Sequence, residues 1–255
     1  MTADQRYQRS RYELKYVVDG ACACRVRDFV RGHLRRDTHG IPEMRYAYPI
    51  YSLYLDGAGL ALYNATVQAQ KNRYKLRLRY YDHEPGSPVF CEIKRRVGEV
   101  IMKERAAVRR AALVRLLSGH SPRREDLLDG QPADAYHALC RFCELRDGLL
   151  ARPRIIVYFE REAWVSNDDN SVRVTFDYEA AAAHYADDLR PKGWSDARVP
   201  GVILELKFDD RFPVWMRELV QSFDLYRTRM GKYVHCMDHL PRAPRAFARP
   251  AAAAL

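Results

Sequence analysis

Apolar and charged residues alternate along several segments of this chain, and the alternation predicts β-strands with one apolar and one charged face. Successive side chains of a strand point to opposite sides, so residues two apart share a face. Arg11, Glu13 and Lys15 share one face of the first such segment. Tyr12 and Leu14 share the other. The same alternation recurs in further segments, whose charged faces carry Lys75, Arg77 and Arg79; Glu92, Lys94 and Arg96; Arg173, Thr175 and Asp177; and Glu205 and Lys207.

Over the whole chain, the pattern predicts about eight strands, with helices at both ends and a helical insertion in the middle. Strands are expected at residues 11–18, 48–56, 73–81, 89–96, 99–109, 154–165, 171–178 and 202–209. Helices are expected at residues 21–36, 60–69, 111–118, 133–149 and 213–226, the last of these being the final helix. Mostly short turns join the strands, as in antiparallel sheets. The pattern therefore favours a barrel-like, antiparallel α+β domain.

The charged faces argue for an enclosed cavity rather than an outer surface. A face that merely meets water would mix Thr, Ser, Gln and both signs of charge, whereas these faces carry mostly Lys and Arg. A cation that is buried without a counter-ion is costly, so such a cavity must be wet and filled by anions when it works. A solvated basic strand face is the alternative interpretation.

Composition narrows the partners to anions. The chain holds 43 Lys and Arg against 33 Asp and Glu, a formal net charge of +10, which suits nucleotides, inorganic phosphates, nucleic acid or an anionic membrane. The sequence contains no glycine-rich phosphate loop, so any nucleotide is expected to be held by side chains. No apolar run approaches the ~20 residues of a membrane span. Residues 1–10 lack the apolar core of a signal peptide, so a cytoplasmic location is expected.

The composition also predicts three parts of the chain. Residues 1–10 are expected to be a flexible N-terminus, and residues 11–240 a single domain. Residues 241–255 (PRAPRAFARPAAAAL) are rich in Pro, Arg and Ala, which predicts a disordered tail.

Several short motifs follow one another in order along most of the chain. They are RYELKY at residues 11–16, KLRLR at 75–79, CEIK at 91–94, MK at 102–103, PR at 153–154 followed by Tyr158 and Arg161, SVRVTFD at 171–177 and LELKF at 204–208. This ordered set resembles the VTC (vacuolar transporter chaperone) domain of the triphosphate tunnel metalloenzymes. The resemblance implies an eight-stranded antiparallel β-barrel tunnel with flanking helices. In catalytic members it implies a polyphosphate polymerase that moves the γ-phosphoryl of ATP onto a growing chain.

The resemblance also implies the residues of the site. The phosphate-binding residues would be Lys15, Lys75, Arg77, Arg79, Lys94, Lys103, Arg161, Arg173, Lys207, Arg229 and Lys232. The catalytic group among them would be Arg77, Arg79, Lys94, Arg161, Arg173 and Lys232. Glu205 would bind the metal, Mn²⁺ or Mg²⁺.

Two departures from the family pattern bear on function. Gly231 stands where the family has Ser before the Lys-Tyr pair, so a hydroxyl contact is lost. Many tunnel enzymes begin with Glu-x-Glu-x-Lys, whereas this chain has Arg11 in place of the first Glu. The missing carboxylate weakens the case for a triphosphate hydrolase and fits the VTC branch better.

The chemistry of phosphoryl transfer supports the same residue types. The triphosphate must be stretched in line and its charge neutralised, which arginine forks and lysine point charges can do. Glu205, together with substrate oxygens, suffices for Mg²⁺ or Mn²⁺. The expected partners are ATP and inorganic polyphosphate or pyrophosphate, without nucleic acid; an association with a membrane protein assembly stays open.

Alternatives remain open from the sequence. The tunnel could belong to a metal-dependent tri- or polyphosphate hydrolase, or to a non-catalytic polyphosphate-binding module. Glu13 and Glu92 could bind metal or pair with neighbouring cations. Glu205 could instead be a structural partner of Lys207 or Arg173. Asp177 is expected to orient an arginine rather than bind metal.

Overall fold

The structure is a computed structural model that describes residues 11–167, 171–187, 189–191 and 193–241. The predicted flexible N-terminus lies outside these residues, as does all of the predicted tail except Pro241. Most of the turn predicted at residues 167–170 also falls outside them. The predictions for these three segments therefore stay predictions.

One antiparallel sheet dominates the described residues. Its strands are β1 (Arg11–Val18), β2 (Arg35–Arg36), β3 (Ala47–Asp56), β4 (Asn72–Tyr80), β5 (Val89–Val97), β6 (Val100–Val108), β7 (Arg152–Val165), β8 (Val172–His184), β9 (Ser195–Asp196) and β10 (Val202–Asp209). Eight long strands run in the order β7-β3-β4-β5-β6-β1-β10-β8, and the pairing of β8 with β7 closes them into a barrel. The two-residue strands β2 and β9 extend the sheet at β7 and β8. The predicted eight-stranded antiparallel barrel is confirmed.

The helices lie around this barrel. They are α1 (Gly20–Val30), α2 (Ala61–Val67), α3 (Leu113–Leu117), α4 (Ala135–Gly148), α5 (Val214–Ser222) and α6 (Lys232–His239). In the residues that the structure describes, no helix combines the length and the apolar character that a membrane crossing requires.

The apolar strand faces pack outward, against the helices. Leu76, Leu78 and Ile93 of β4 and β5 are buried with Leu139 and Phe142 of α4. A second cluster joins the outer faces of β1, β8 and β10 to α1 and α5. Burial of apolar area between the wall and the helices stabilises the barrel from outside. The opposite strand faces, which carry the charges, are thereby left to line the interior.

Four elements differ from the sequence prediction. Helix α5 ends at Ser222 rather than at residue 226. The first helix ends at Val30 rather than at residue 36, because Gly32 follows in a turn and residues 35–36 instead pair with β7 as β2. Strand β8 continues past residue 178 through a run of alanines, which favour helices intrinsically but here pair with β7. The helix predicted to be last is followed by α6, which buries Tyr233 and Cys236. Two buried positions in eight residues give too weak a period to predict a helix.

Candidate functional site in the barrel interior

The charged strand faces meet inside the barrel. Lys94 on β5 binds Glu13 on β1, although β6 lies between these strands. Arg161 on β7 likewise contacts Glu205 on β10, across β8. Contacts between strands that are not neighbours in the sheet must cross the interior. The predicted enclosed charged face is therefore present in the structure.

Glu205 is the centre of the largest ion-pair cluster in the interior. The residue is 4% exposed, and its carboxylate contacts the ammonium of Lys15. Lys207 Nζ lies 2.6 Å from Oε2 and Lys232 Nζ 3.1 Å from Oε1, while Arg161 Nη2 donates to Oε2 at 3.3 Å. Burial by itself would raise the pKa of Glu205, but Lys15, Lys207 and Lys232 hold it well below its usual value. Of its two candidate structural partners, Lys207 is in contact and Arg173 is not.

Asp177 orients an arginine, as the sequence analysis expected. Arg161 donates to both carboxylate oxygens of Asp177, at 2.6 and 2.7 Å. Lys232 Nζ lies 2.5 Å from Asp177 Oδ2, so the last helix reaches the same carboxylate. Two parallel N–H to O bonds fix the plane of the guanidinium. Arg161 is therefore held in one orientation before any ligand arrives.

Glu13 and Glu92 both pair with cations. Glu13 lies 2.5 Å from Lys15 Nζ and 2.9 Å from Lys94 Nζ. Glu92 accepts from Arg77 Nε at 2.7 Å, and it is fully buried. Burial would raise the pKa of Glu92, but Arg77 and the cations next to it keep it far below its usual range. Between the two alternatives left by the sequence, the observed contacts are ion pairs.

Arg79 is a buried cation that lacks a matching carboxylate. Its residue exposure is 9%, and its hydrogen bonds go to the hydroxyl of Ser52 at 3.3 and 3.4 Å. Within the described part of the chain, no carboxylate lies in ion-pair distance of its guanidinium. A neutral hydroxyl at these long distances offsets little of the cost of burying a charge. The site is therefore short of negative charge at Arg79.

Lys75 also lacks a carboxylate partner in the part of the chain that the structure describes, although it is only partly buried. Among the described residues it has no ion pair, and its neighbours include Lys94, Lys15 and Arg73. Burial, followed by repulsion from these cations, lowers the pKa of Lys75 to about 7. Its ammonium lies 3.2 Å from where a Cβ would sit on Gly231. A side chain at position 231 would therefore crowd the Lys75 ammonium, and the glycine leaves room for it.

Lys103 and Arg105 complete the wall around Glu92. Lys103 Nζ lies 3.7 Å and Arg105 Nε 3.3 Å from Glu92 Oε1. Although the Lys103 side chain is 46% exposed, partial desolvation and the nearby cations Arg105, Arg77 and Arg79 lower its pKa to about 8. Arg105 was not among the predicted site residues, although its position two residues after Lys103 on the charged face of β6 could have identified it.

Two predicted phosphate ligands lie away from the central clusters. Arg173 Nη2 donates to the Tyr48 hydroxyl at 3.0 Å and pairs with Asp37. Arg229 lies near the other end of the barrel, where it repels Arg73. The remaining predicted cations are brought together in the interior.

Helix α6 fixes the position of Lys232. Tyr233 stacks on Tyr54, with ring centroids 4.7 Å apart, and its hydroxyl donates to Asp56 at 2.9 Å. Lys232 Nζ also lies 4.7 Å above the ring of Phe159. Tyr54 and Asp56 were not among the predicted site residues, because a strand tyrosine and a strand-end carboxylate carry no sequence signal of this contact.

The carboxylates of the interior have the chemistry that a hard divalent cation needs. Among the described residues, no group of three or more His, Cys, Asp or Glu side chains is gathered as a metal site. Glu13 and Glu205 nevertheless both contact the ammonium of Lys15, so their oxygens reach one small cation. Mg²⁺ is commonly held by one or two carboxylates together with phosphate oxygens. The residues present therefore fit a divalent ion that binds together with a phosphate ligand.

A separate cavity of about 880 Å³ opens on the outer surface. It is lined by α3, the start of β7 and loops after β4 and β8, with Arg110, Arg152 and Arg190 among its residues. None of the predicted phosphate ligands lines it. The concentration of paired and unpaired charge lies inside the barrel instead.

The family model of the VTC domain matches residues 10–240 of the chain. A comparison with curated proteins found no matching relative. Among solved structures, the PH1819 protein of Pyrococcus horikoshii OT3 is similar with a TM-score of 0.44 and 12% identity, over 89% of this chain and 98% of that one. A Bacillus halodurans protein described as a "putative adenylate cyclase" is similar with a TM-score of 0.46 and 13% identity, over 86% of this chain and 91% of that one.

Proposed function

Because the chain belongs to the VTC domain family, we propose that it is a polyphosphate polymerase that transfers the γ-phosphoryl of ATP to a growing polyphosphate chain. The observation that carries this proposal is the pair of under-compensated cations, Arg79 and Lys75, inside a closed barrel. Buried cations without counter-ions are costly, so the interior is complete only when an anion fills it. A chain of phosphates has the shape and the charge to do so.

Phosphoryl transfer requires alignment and charge neutralisation more than covalent chemistry from the protein. Arg161 and Arg77 are held by Asp177 and Glu92, which pre-organises two guanidinium groups on different strands. Arg79 and Lys75 can bind phosphate oxygens without giving up an existing ion pair. Lys94, Lys103 and Lys207 would add point charges along the same path. These roles stretch and neutralise a triphosphate between the walls.

The state of the carboxylates favours transfer to phosphate over hydrolysis. A hydrolase needs a base that takes a proton from water. Burial would raise the pKa values of Glu13, Glu92, Asp177 and Glu205, but neighbouring cations hold all four below their usual values. Carboxylates with such low pKa values are weak bases. An acceptor phosphate is already anionic and needs no such base.

The proposal includes a divalent ion, Mn²⁺ or Mg²⁺, with Glu205 as its ligand and Glu13 beside it. When bound, the ion would neutralise charge on phosphate oxygens. Glu205→Gln keeps the shape of the side chain but removes its charge, so we expect metal-dependent turnover to be lost. Glu125→Gln, at a side chain that is 72% exposed and pairs with Arg123 away from the barrel strands, is the matched control. Unchanged activity of Glu205→Gln at saturating Mn²⁺ would contradict the metal role.

The deciding experiment is a product assay. Purified protein is incubated with ATP and Mn²⁺, and the products are resolved on a gel. Long phosphate chains are expected. Free phosphate without chains would identify a hydrolase, and no turnover with retained triphosphate binding would identify a binding module. We further propose that the protein is cytoplasmic and has no nucleic-acid partner.

A further inference from the structure

The two ends of the barrel differ in chemistry. The basic mouth, at the start of β4 and the end of β5, is formed by Arg73, Lys75, Arg96, Arg227 and Arg229, with Glu99 bound between Arg96 and Arg227. The aromatic mouth, at the opposite end, is formed by Tyr48, Tyr81 and Phe90. The start of β3, the end of β4 and the start of β5 coincide there, because these strands are antiparallel neighbours.

The aromatic side chains of this mouth point into the barrel. Phe90 lies two residues before Glu92, on the charged face of β5. Tyr81 directly follows the end of β4, and its ring lies beside those of Phe90 and Tyr48. Ring centroids are 6.1 Å apart for Tyr48 and Tyr81, and 6.0 Å apart for Tyr81 and Phe90. Tyr81 and Phe90 are both partly exposed. Part of each side chain is therefore accessible to solvent.

Cations lie directly against these rings. The guanidinium of Arg105 sits 3.4 Å from the Phe90 centroid and donates to the Tyr81 hydroxyl at 3.4 Å. Arg173 donates to the Tyr48 hydroxyl. Arg79, the unpaired cation, is the register partner of Phe90. Aromatic faces and phosphate-binding groups are thus contiguous at this end, which is what a nucleotide requires.

We propose that the aromatic mouth binds the nucleoside of a nucleoside triphosphate, with the base stacked on Tyr81 and the triphosphate running inward past Arg79. The inference rests on the proposed function and gives the tunnel a direction. The terminal phosphate then points toward the basic mouth, where a growing phosphate chain, which carries no base, meets mostly cations. Stacking reads the face of a base rather than its edge, so ATP, GTP and CTP should bind with similar affinity.

The test compares two ligands that share a triphosphate and differ in the nucleoside. ATP and inorganic tripolyphosphate are titrated by calorimetry into the wild-type protein and Tyr81→Ala. Loss of one stacking partner should weaken the affinity for ATP by between about fivefold and about a hundredfold. Tripolyphosphate binding should not change. Tyr81→Leu, which keeps an apolar side chain but loses the ring, is the second variant in case Tyr81→Ala folds poorly. Tyr226→Ala, at an exposed tyrosine, is the control.

Each outcome decides the inference. Selective loss of ATP binding in the Tyr81 variants supports it. Equal weakening of both ligands would show that Tyr81 only supports the wall, and unchanged binding of both would show that the base lies elsewhere; either result overturns it. If the wild-type protein binds neither ligand, the proposed function itself fails, and this inference with it. Binding of tripolyphosphate but not of ATP leaves a phosphate tunnel and overturns the nucleoside site alone.

Discussion

The two walls of the barrel interior bury similar cations but differ in how these are compensated. On the paired wall, formed by β1, β7, β8 and β10, Arg161 has Asp177 and Lys207 has Glu205. On the open wall, formed by β4, β5 and β6, Glu92 pairs with Arg77, Arg105 and Lys103. Among the described residues, no carboxylate lies within ion-pair distance of Arg79 or Lys75, although Glu92 acts on Arg79 from farther away.

The difference indicates that the two walls have different roles. An ion pair that is complete in the folded protein fixes geometry, whereas an incomplete one attracts a ligand. The paired wall should therefore determine stability in the absence of ligand, and the open wall should determine anion affinity. Each prediction below tests one side of that contrast.

The largest effect is expected from Arg161→Ala on the paired wall. The change leaves Asp177 and Glu205 with fewer cations in a buried site. Breaking one partner of a buried ion pair typically costs about 3–5 kcal/mol of unfolding free energy. Urea unfolding of the ligand-free protein measures it. Arg198→Ala, whose partners Asp196 and Glu179 are exposed, should barely change stability. A small loss in both variants would contradict the role given to the paired wall.

The next effect is stabilisation by an anion that fills the open wall. A ligand that binds only the folded protein adds about 2.7 kcal/mol at a hundred times its Kd. Tripolyphosphate should therefore raise the melting temperature by several degrees. Chloride at equal ionic strength is the control, because it screens exposed charges without bridging buried ones. Identical responses to the two salts would remove the case for an enclosed anion site.

Arg79→Ala should separate affinity from stability. Removing an unpaired buried cation relieves repulsion, so the ligand-free protein should unfold at the same or a higher urea concentration. Tripolyphosphate should bind more weakly by about 1.5–3 kcal/mol, the range for hydrogen bonds to charged groups. Arg79→Lys keeps the charge but loses the forked guanidinium. Its affinity for tripolyphosphate should therefore lie between those of the wild-type protein and Arg79→Ala. Loss of stability without loss of affinity would reverse the assignment of the walls.

The smallest effect concerns pH and Lys75. Burial and nearby cations hold the pKa of Lys75 at about 7, against 10.5 for an ordinary lysine. Between those values the unfolded chain keeps the proton that the folded protein lacks. Unfolding then takes up a proton, so the stability of the ligand-free protein rises with pH through this window.

Lys75→Met should flatten that rise and stabilise the ligand-free protein below about pH 7. Lys207 and Lys103, whose pKa values are lowered to about 7 and about 8, should preserve part of the slope in the variant. Unfolding curves between about pH 6 and about pH 9 measure the change. Tripolyphosphate affinity should fall over the same range as Lys75 loses its charge. A pH dependence that is the same in both proteins would assign the titration to other groups.

Most of the barrel could be predicted from the sequence because strand alternation is a local property. The bounds predicted for β1 and β10 agree with the structure, and the other long strands except β8 were placed within two residues. The start of α1 follows from Asp19, whose carboxylate accepts from the Cys22 amide at 2.7 Å. Its end, and the pairing of residues 35–36 with β7, depend on a strand far along the chain. Helix α6 was missed because its stabilising contact, Tyr233 on Tyr54, also joins distant residues.

The sequence by itself determined most of the residues that line the interior, since the period of two assigns regular strand residues to a face without knowledge of their partners. The bulges near Tyr54 and Tyr158 are exceptions. The sequence could not determine which of the interior cations are compensated. The distinction between Arg161 and Arg79 is set by strand order, register and the shear of the barrel, which bring Asp177 to one guanidinium and Ser52 to the other. Ion-pair energies depend on distances of a few ångströms between residues far apart in sequence, and only the tertiary structure fixes those distances.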